Sequence, residues 1–267
     1  MKNAELQQNI LVIVPHSDDE ILMFGGLIQR AVREQKTIHV CLVTNGDYEA
    51  ATEEQGIARP RETIEGLKIL GLPEKNIFLM GYADTGMPKP ESFLWNLWEA
   101  ADEDQVFPSH VGTHTYGPAE HPDFHSAVTG QPGNYTAKGF RGDLKRLLDL
   151  LNPDAVYTTH PKDAHGDHAG LYQFVAEQIG DRSLYTGFCH CAGGDAVWPL
   201  SGDCFTCPPD LGSEWDDGFR LVLTEEERSR KAQALEAHKA ALKPDAVKFL
   251  RSFMKKDEIY LKTENEI

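Results

Sequence analysis

The chain has 267 residues and a net charge of −16, from 26 basic and 42 acidic side chains. So negative a surface repels phosphate backbones and anionic lipids, so we expect no nucleic-acid partner and no membrane partner. No apolar run approaches the roughly 20 residues that cross a bilayer, and residues 1–9 are polar, so we predict a cytoplasmic protein. A removed leader sequence and a homo-oligomer are both compatible with this composition.

Strand and helix patterns alternate over the first 80 residues. Apolar runs of strand length are separated by segments with apolar residues at helical spacing. This alternation predicts an α/β fold, Rossmann-like, with a mostly parallel doubly wound sheet and helices on both faces. In chain order the predicted elements are a strand at 10–14, a helix at 21–33, a strand at 38–43, a helix at 61–70 and a strand at 77–80.

The second half of the chain contains a long irregular stretch and then further regular elements. Residues 82–137 lack clear periodicity apart from a short helix at 92–101, and a loop this long is typical of a lid near an active site. We predict a single domain, 1–267, with this insertion and with C-terminal strands and helices at 183–267. The other predicted elements are a helix at 140–151, a strand at 155–159, a helix at 169–179, extended segments at 183–191 and 219–223, a capping box at Thr224–Glu227 and a final helix at 244–255.

Polar residues follow the first predicted strand immediately. His16, Asp18, Asp19 and Glu20 come after the apolar run 10–14 and Pro15. Clustering three carboxylates costs free energy unless a cation or shared protons offset their charge. Imidazole and carboxylate groups are common zinc ligands. This turn is therefore predicted to form half of a metal site.

A second cluster of the same kind follows the predicted strand 155–159. It contains Asp163, His165, Asp167 and His168 and precedes a helical pattern. Two strand-to-helix turns of a parallel sheet meet at its carboxyl edge, where open α/β folds bind their ligands. We expect the two clusters to form one site.

These motifs resemble those of the PIG-L/LmbE-like zinc-dependent de-N-acetylases. His16-Ser-Asp-Asp-Glu20 is similar to the family's His-Pro-Asp-Asp-Glu signature, with Ser17 in place of Pro, and His165-Gly-Asp-His168 is similar to its His-x-Asp-His signature. Further similarities are Thr44-Asn-Gly46, Arg59-Pro-Arg-Glu62 followed by Leu70-Gly71, and Lys231-Ala-x-Ala-Leu-x-Ala-His238. The resemblance extends over most of the chain.

The resemblance, together with ligand chemistry, implies roles for particular residues. The expected metal ligands are His16, Asp19 and His168, with Asp18 as the general base. His165 is expected to stabilise the oxyanion, to protonate the leaving amine, or both, and Asp167 to hydrogen-bond a histidine. The expected substrate-binding residues are Arg59, His190, which resembles a pocket histidine of some relatives, and Tyr116, as part of the lid. Zn²⁺ is the expected cofactor, and Fe²⁺ or Co²⁺ also suit two histidines and an aspartate.

The resemblance further implies removal of the acetyl group from an N-acetylated amino sugar, free or within an oligosaccharide. Two alternatives stay open. One is an amidase that uses the same metal site on a larger acyl group or a thiol conjugate. The other is a non-catalytic, metal-supported sugar-binding protein; the presence of both Asp18 and His165 favours an enzyme.

Two further clusters have no assigned role. Cys189, Cys191, Cys204 and Cys207 are compatible with free thiols, a structural zinc or disulfides. The histidines at 110, 114, 121 and 125 include two pairs at i,i+4 spacing, but neighbouring Gly and Pro residues oppose a continuous helix. We expect them to line a lid rather than to hold a second metal.

Overall fold

The computed structural model describes residues 1–199 and 201–263. Its strands are β1 (Lys2–Asn3), β2 (Asn9–Val14), β3 (Thr37–Thr44), β4 (Ile77–Tyr82), β5 (Ala155–Thr159), β6 (Ser183–Gly187), β7 (Phe219–Val222) and β8 (Asp257–Thr263). Its helices are α1 (Asp19–Arg33), α2 (Glu53–Gly56), α3 (Ala58–Ile69), α4 (Phe93–Trp98), α5 (Phe124–Thr129), α6 (Ala137–Leu151), α7 (Gly166–Gln178), α8 (Glu225–Leu235) and α9 (Val247–Arg251). Within the described residues no helix is both long and apolar enough to span a membrane.

The strands form one sheet in the order β1-β7-β8-β6-β5-β2-β3-β4. Strands β4, β3, β2, β5 and β6 are mutually parallel, while β8 runs antiparallel to both β6 and β7. The predicted mostly parallel, Rossmann-like sheet is therefore confirmed. A parallel strand order that runs outward from β2 in both directions is the doubly wound arrangement.

The core has two layers because β2 is buried on both faces. Ile10, Val12 and Val14 pack with α1, α3 and α8 on one side, whereas Leu11 and Ile13 pack with α4, α6 and α7 on the other. A strand that alternates between two buried faces must be apolar at every position, which explains the continuous apolar run at 10–14.

The C-terminal part of the chain departs most from the predicted elements. The final helix was expected at 244–255 but comprises Val247–Arg251, because residues on either side form turns, among them Val247 N–H to Lys243 O and Phe253 N–H to Leu250 O. The extended segment expected at 183–191 ends at Gly187. Strand β8 was not predicted. It begins with two buried acidic residues, Asp257 and Glu258, which interrupt the apolar pattern expected of a central strand.

The insertion at 82–137 is more regular than expected. The helix expected at 92–101 is present as α4, and the segment also contains α5 and buries Phe93 and Tyr135 in the same core layer as α6. Much of this segment therefore belongs to the packed fold.

The predicted capping box at the start of α8 is confirmed. The Thr224 hydroxyl accepts the backbone amide of Glu227, and the Glu227 carboxylate accepts the backbone amide of Thr224.

A buried ion pair joins the C-terminal elements to the middle of α1. Lys231 Nζ lies 2.6 Å from Glu258 Oε1 and donates to the carbonyl oxygen of Leu22 at 2.8 Å. Glu258 also accepts the backbone amides of Gly26 and Leu27. Both charged side chains are almost fully excluded from solvent. The pair therefore inserts into the hydrogen-bonded backbone of α1 and fixes this helix to α8 and β8.

Candidate metal centre and active-site cleft

The two predicted motifs meet because β2 and β5 are neighbours. Ile10 to Val12 of β2 pair with Ala155 to Tyr157 of β5, and the chain leaves β2 and β5 in opposite directions across the sheet. This is the switch point of the sheet, where the turns that follow adjacent strands leave a crevice. The turn after β2 contains the first cluster, and the turn after β5 contains the second.

The first turn holds an unusual backbone conformation at Asp18. This residue occupies the N-cap position of α1 with φ of 98°, and its side chain makes no capping hydrogen bond. Its carbonyl oxygen instead accepts the amides of Ile21 and Leu22. The Asp18 side chain lines the cleft instead of capping the helix.

Asp19 lies between the two histidines expected to share a metal with it. Its Oδ2 atom is 3.3 Å from Nδ1 of His16 and 3.1 Å from Nε2 of His168. In a tetrahedral site with metal–ligand distances of about 2.1 Å, two ligand atoms lie roughly 3.4 Å apart. Asp19 Oδ2 therefore lies at about this spacing from a ring nitrogen of each histidine.

Each of these histidines has a carboxylate behind its second nitrogen. Asp167 Oδ2 lies 3.0 Å from Nε2 of His16, and Asp163 Oδ2 lies 3.1 Å from Nδ1 of His168. Carboxylates in this position fix the ring orientation and the tautomer of metal-binding histidines. The sequence analysis assigned no role to Asp163. Its position in the second motif, five residues before His168, could have indicated that it contacts this histidine.

The protein atoms alone do not satisfy this centre. Both ring nitrogens of His168 are fully buried without a hydrogen bond of acceptable geometry, although carboxylates lie near each. Among the described residues, the sets whose ligand atoms converge within 4.8 Å are His16–His165–His168 and His16–Asp84–Asp167. His16 belongs to both sets and the expected ligand Asp19 to neither, and the imidazole and carboxylate donors around His16 are of the kind that divalent metal ions bind.

Without a metal, protons balance the charge of the centre. Burial alone would lower the pKa of His16, but Asp167 and Asp19 outweigh it and raise this pKa to about 10. Burial likewise opposes ionisation of Asp19, yet His168 and His16 hold its pKa well below the usual range. Imidazolium groups therefore face carboxylates in the metal-free chain. A bound cation can take the place of these protons.

His165 is the N-cap residue of α7, and this position determines its tautomer. Its Nδ1 atom accepts the backbone amide of Asp167 at 3.2 Å. Burial, reinforced by the charges of His16 and His168, holds the pKa of His165 well below its ordinary value. The ring is therefore neutral, with its proton on Nε2. A neutral imidazole of this kind acts as a hydrogen-bond donor.

Asp18 and Arg59 face each other across the mouth of the centre. Burial raises the pKa of Asp18 to about 6, against the opposing effect of Arg59, whose Nη2 lies 3.5 Å from Asp18 Oδ2. Arg59 also donates to the carbonyl oxygen of Ser17 at 2.8 Å. A carboxylate with its pKa near neutrality, beside a metal site, has the properties of a general base.

These residues line a cleft of about 890 Å³, which is large enough for a disaccharide or a small glycoconjugate. His190 lies on its wall, stacked on Phe249 with ring centroids 5.2 Å apart. Tyr116 lies behind the wall: its buried hydroxyl donates to Asp47 Oδ2 at 2.6 Å, and Asp47 lines the cleft. Any contribution of Tyr116 to binding therefore acts through Asp47.

The two remaining clusters do not assemble a further site within the described residues. The four histidines have separate partners, since His110 contacts Asp47, His114 faces Glu53, His121 contacts Ile77 and His125 contacts Asp143. All five cysteines are free thiols; Cys41, Cys189 and Cys191 are buried, and Cys204 and Cys207 are exposed.

Fold and site together define an α/β protein with a doubly wound sheet and a cleft at its switch point that is lined by histidines and carboxylates. The profile of the PIG-L family, described as GlcNAc-PI de-N-acetylase, matches residues 11–179, which include both motifs. The chain belongs to the PIG-L family. A comparison with curated proteins gave no significant match.

Solved structures with the same fold include several deacetylases. N,N'-diacetylchitobiose deacetylase from Pyrococcus horikoshii is 15% identical, with a TM-score of 0.59 over 97% of this chain and 84% of that one. The A40926 pseudoaglycone deacetylase is 18% identical, with a TM-score of 0.56 over 98% and 99%. The zinc-inhibited form of teicoplanin deacetylase is 17% identical, with a TM-score of 0.56 over 96% and 99%. At these identities the likeness establishes the shared fold.

Proposed function

We propose that this protein is a metal-dependent hydrolase that removes the acetyl group from an uncharged N-acetylated amino sugar of the N-acetylglucosamine type. The observation that carries the proposal is the placement of Asp18 and His165 in the cleft beside His16 and Asp19, with Asp19 Oδ2 also 3.1 Å from Nε2 of His168. Membership of the PIG-L family supports the reaction, and the structural neighbour that deacetylates N,N'-diacetylchitobiose supports the substrate class.

In this proposal His16, Asp19 and His168 hold the metal, and Asp167 and Asp163 orient the two rings. When bound, a divalent ion such as Zn²⁺, Fe²⁺ or Co²⁺ supplies a Lewis acid that polarises the amide carbonyl and activates water. Asp18 Oδ2 accepts a proton from the attacking water. The same carboxyl group then donates that proton to the leaving amine. Asp18 therefore acts first as the general base and then as the general acid.

His165 stabilises the negative charge that develops on the amide oxygen. Its Nε2–H is free to donate because Nδ1 is engaged by the Asp167 amide. A fixed donor in a buried site is worth about 10²–10³-fold in kcat. Arg59 keeps Asp18 in place, and His190 with Phe249 offers a flat wall for the sugar or its attached group.

We expect metal affinity to fall in a graded series of variants. Replacing Asp163 by Asn should weaken metal binding about 10–100-fold, since it removes the charge behind His168. His168→Ala should weaken it further, because it deletes a ligand. Metal titration after chelator dialysis measures both. His190→Ala serves as the control, and a loss of metal in that variant equal to the loss in His168→Ala would refute the ligand set.

The charge of the cleft favours an uncharged substrate. Eight carboxylates line it, from Asp18, Asp19, Asp47, Glu49, Asp84, Glu91, Asp195 and Asp245. The two full cations of the lining are engaged: Arg59 faces Asp18, and Lys243 pairs with Glu49. A divalent metal offsets only part of this negative charge. A phosphate or carboxylate group on the sugar would therefore be repelled.

We expect a neutral substrate such as N,N'-diacetylchitobiose to exceed N-acetylglucosamine 1-phosphate in kcat/KM by about tenfold or more at low salt. Raising the ionic strength from about 0.1 to 1 M shortens the screening length from about 10 to 3 Å and should narrow this ratio. Glu91→Gln, which removes one carboxylate from the cleft, should also reduce the ratio of the two kcat/KM values. Glu34→Gln, at a residue that does not line the cleft, should leave the ratio unchanged. Equal rates for both substrates at low salt would contradict the charge argument.

The decisive experiment combines metal content with acetate release from a panel of N-acetylglucosamine derivatives. Metal should be supplied up to one equivalent and then in excess, because a structural neighbour has been captured in a zinc-inhibited form. Acetate release that requires metal supports the proposal. Release of a larger acid favours the amidase alternative, and sugar binding without turnover favours the binding protein. A chain that binds no divalent metal would overturn the proposal.

A further inference from the structure

The peptide group between Ser17 and Asp18 is held at both of its polar atoms. Its carbonyl oxygen accepts from Arg59 Nη2 at 2.8 Å, and its amide donates to Glu20 Oε2 at 3.0 Å. Both bonds involve side chains rather than the backbone of a helix or sheet. This peptide immediately precedes the Asp18 side chain in the cleft.

The conformation that this clamp holds is strained. A non-glycine residue with φ of 98° lies outside the regions that L-residues favour, and such a residue persists only where its surroundings over-determine it. Turning the Ser17–Asp18 peptide over would bring φ of Asp18 back to an ordinary negative value. It would also aim the Ser17 carbonyl away from Arg59. The two hydrogen bonds to this peptide therefore oppose the rotation that would relieve the strain.

Glu20 is itself held from behind by His238. Nε2 of His238 lies 3.2 Å from Glu20 Oε1, and Nδ1 lies 3.1 Å from the Ser17 hydroxyl oxygen. That hydroxyl accepts from Thr63 Oγ1 at 2.8 Å and donates to the carbonyl oxygen of Arg59 at 3.1 Å. With its one hydrogen used, the Ser17 oxygen takes the Nδ1–H of His238 as a second donor. His238 therefore joins Ser17, by a hydrogen bond, to Glu20, by an ion-pair contact that lacks hydrogen-bond geometry.

The fold leaves room for this arrangement. His238 and Glu20 are both fully buried, and a Cβ atom at Gly66 would lie only 2.8 Å from Nε2 of His238. His238 follows α8 in the C-terminal part of the chain, outside the range 11–179 that the family profile matches. Ser17 supplies a hydroxyl where the resembled signature has Pro, which has none.

We propose that His238, Ser17 and Glu20 are positioning residues that hold Asp18 in its strained, active conformation. The inference rests on the proposed function, because Asp18 is the general base there. The three side chains act through the Ser17–Asp18 peptide, and none of them is among the residues that line the cleft. Ser17 thus helps to hold the conformation of the turn that contains Asp18, and the C-terminal segment contributes to the same turn through His238.

Two variants test the proposal, with a matched control. His238→Ala and Ser17→Ala should each reduce kcat for acetate release about 10–100-fold, with KM within about twofold of wild type and metal content unchanged. Glu62→Gln is the control: Glu62 accepts the amide of Ala240, two residues beyond His238, but has no contact with Glu20 or Asp18. It should leave kcat within about twofold.

A second readout is independent of turnover. Hydrogen exchange of the Asp18 amide, followed by NMR, should accelerate at least tenfold in both test variants and not in Glu62→Gln. Unchanged protection of this amide, unchanged kcat, or an equal effect in the control would overturn the proposal. Ser17→Ala keeps the test available if His238→Ala fails to fold. A wild-type chain that binds metal but releases no acetate would refute the proposed function, while the exchange experiment would still decide the positioning.

Discussion

Replacing Asp18 by Asn is expected to lower kcat for acetate release by about 10²–10⁴-fold, the usual worth of a general acid–base group. Asn preserves the size of the side chain but cannot accept the proton of water. Because Asp18 is not in the expected ligand set, metal content should stay near the wild-type value. Glu91→Gln, another carboxylate of the cleft, is the matched control and should retain most of the activity toward a neutral substrate.

The pH dependence gives an independent check on the same assignment. Burial raises the pKa of Asp18 to about 6 in the metal-free chain, and a neighbouring cation would lower it. A general base works only when ionised, so kcat/KM should fall as the pH drops through a value at or below about 6. This acid limb should disappear from the residual rate of Asp18→Asn. Persistence of the same limb in that variant, or loss of its metal, would reject Asp18 as the base.

The largest expected effect on stability comes from the ion pair inserted into α1. Lys231→Met should reduce the free energy of unfolding by about 3–5 kcal/mol, because Glu258 would be left as a buried, uncompensated charge. Urea denaturation of the wild type and the variant measures this difference. Lys68→Met, which loses exposed ion pairs with Glu65 and Glu74, is the control and should leave the free energy of unfolding nearly unchanged.

A double variant separates charge from packing at the same place. Adding Glu258→Gln to Lys231→Met removes the stranded charge, so part of the lost stability should return. Gly26 and Leu27 donate to different oxygens of Glu258, so the single side-chain oxygen of Gln keeps one of these two hydrogen bonds. If the double variant is less stable than Lys231→Met alone, the cost lies in packing and hydrogen bonding and not in the charge.

Much of the active-site half of the fold follows from local sequence patterns. The apolar runs of β2 and β5, the turns after them and the helices that follow were predictable because each depends on neighbours in the chain. The expected site residues also meet, with the exception of Tyr116, because the edge of a parallel sheet collects whatever follows its strands. The LmbE-like motifs then supplied roles that periodicity alone does not assign.

The features that escaped prediction depend on contacts between distant residues. Strand β8 carries Asp257 and Glu258 in a buried sheet, and Glu258 is tolerated there only because Lys231 and the α1 backbone meet it. Likewise, the role of His238 appears only when the end of α8 is packed against the first motif. The contact of Asp163 with the second ring nitrogen of His168 was easier to predict, because both residues lie in the turn after β5.

In the proposed metal centre, the pairing of β2 with β5 would also couple metal binding to folding. His16 and Asp167 are 151 positions apart in the chain, so an unfolded polypeptide offers no preformed set of donors. A ligand that binds only the native state stabilises it by mass action, by about 2.7 kcal/mol when its free concentration is 100 times its Kd. A chelator should therefore lower the melting temperature of this enzyme as well as its turnover. In a metal-poor cell, the same linkage would make the protein's abundance depend on metal supply.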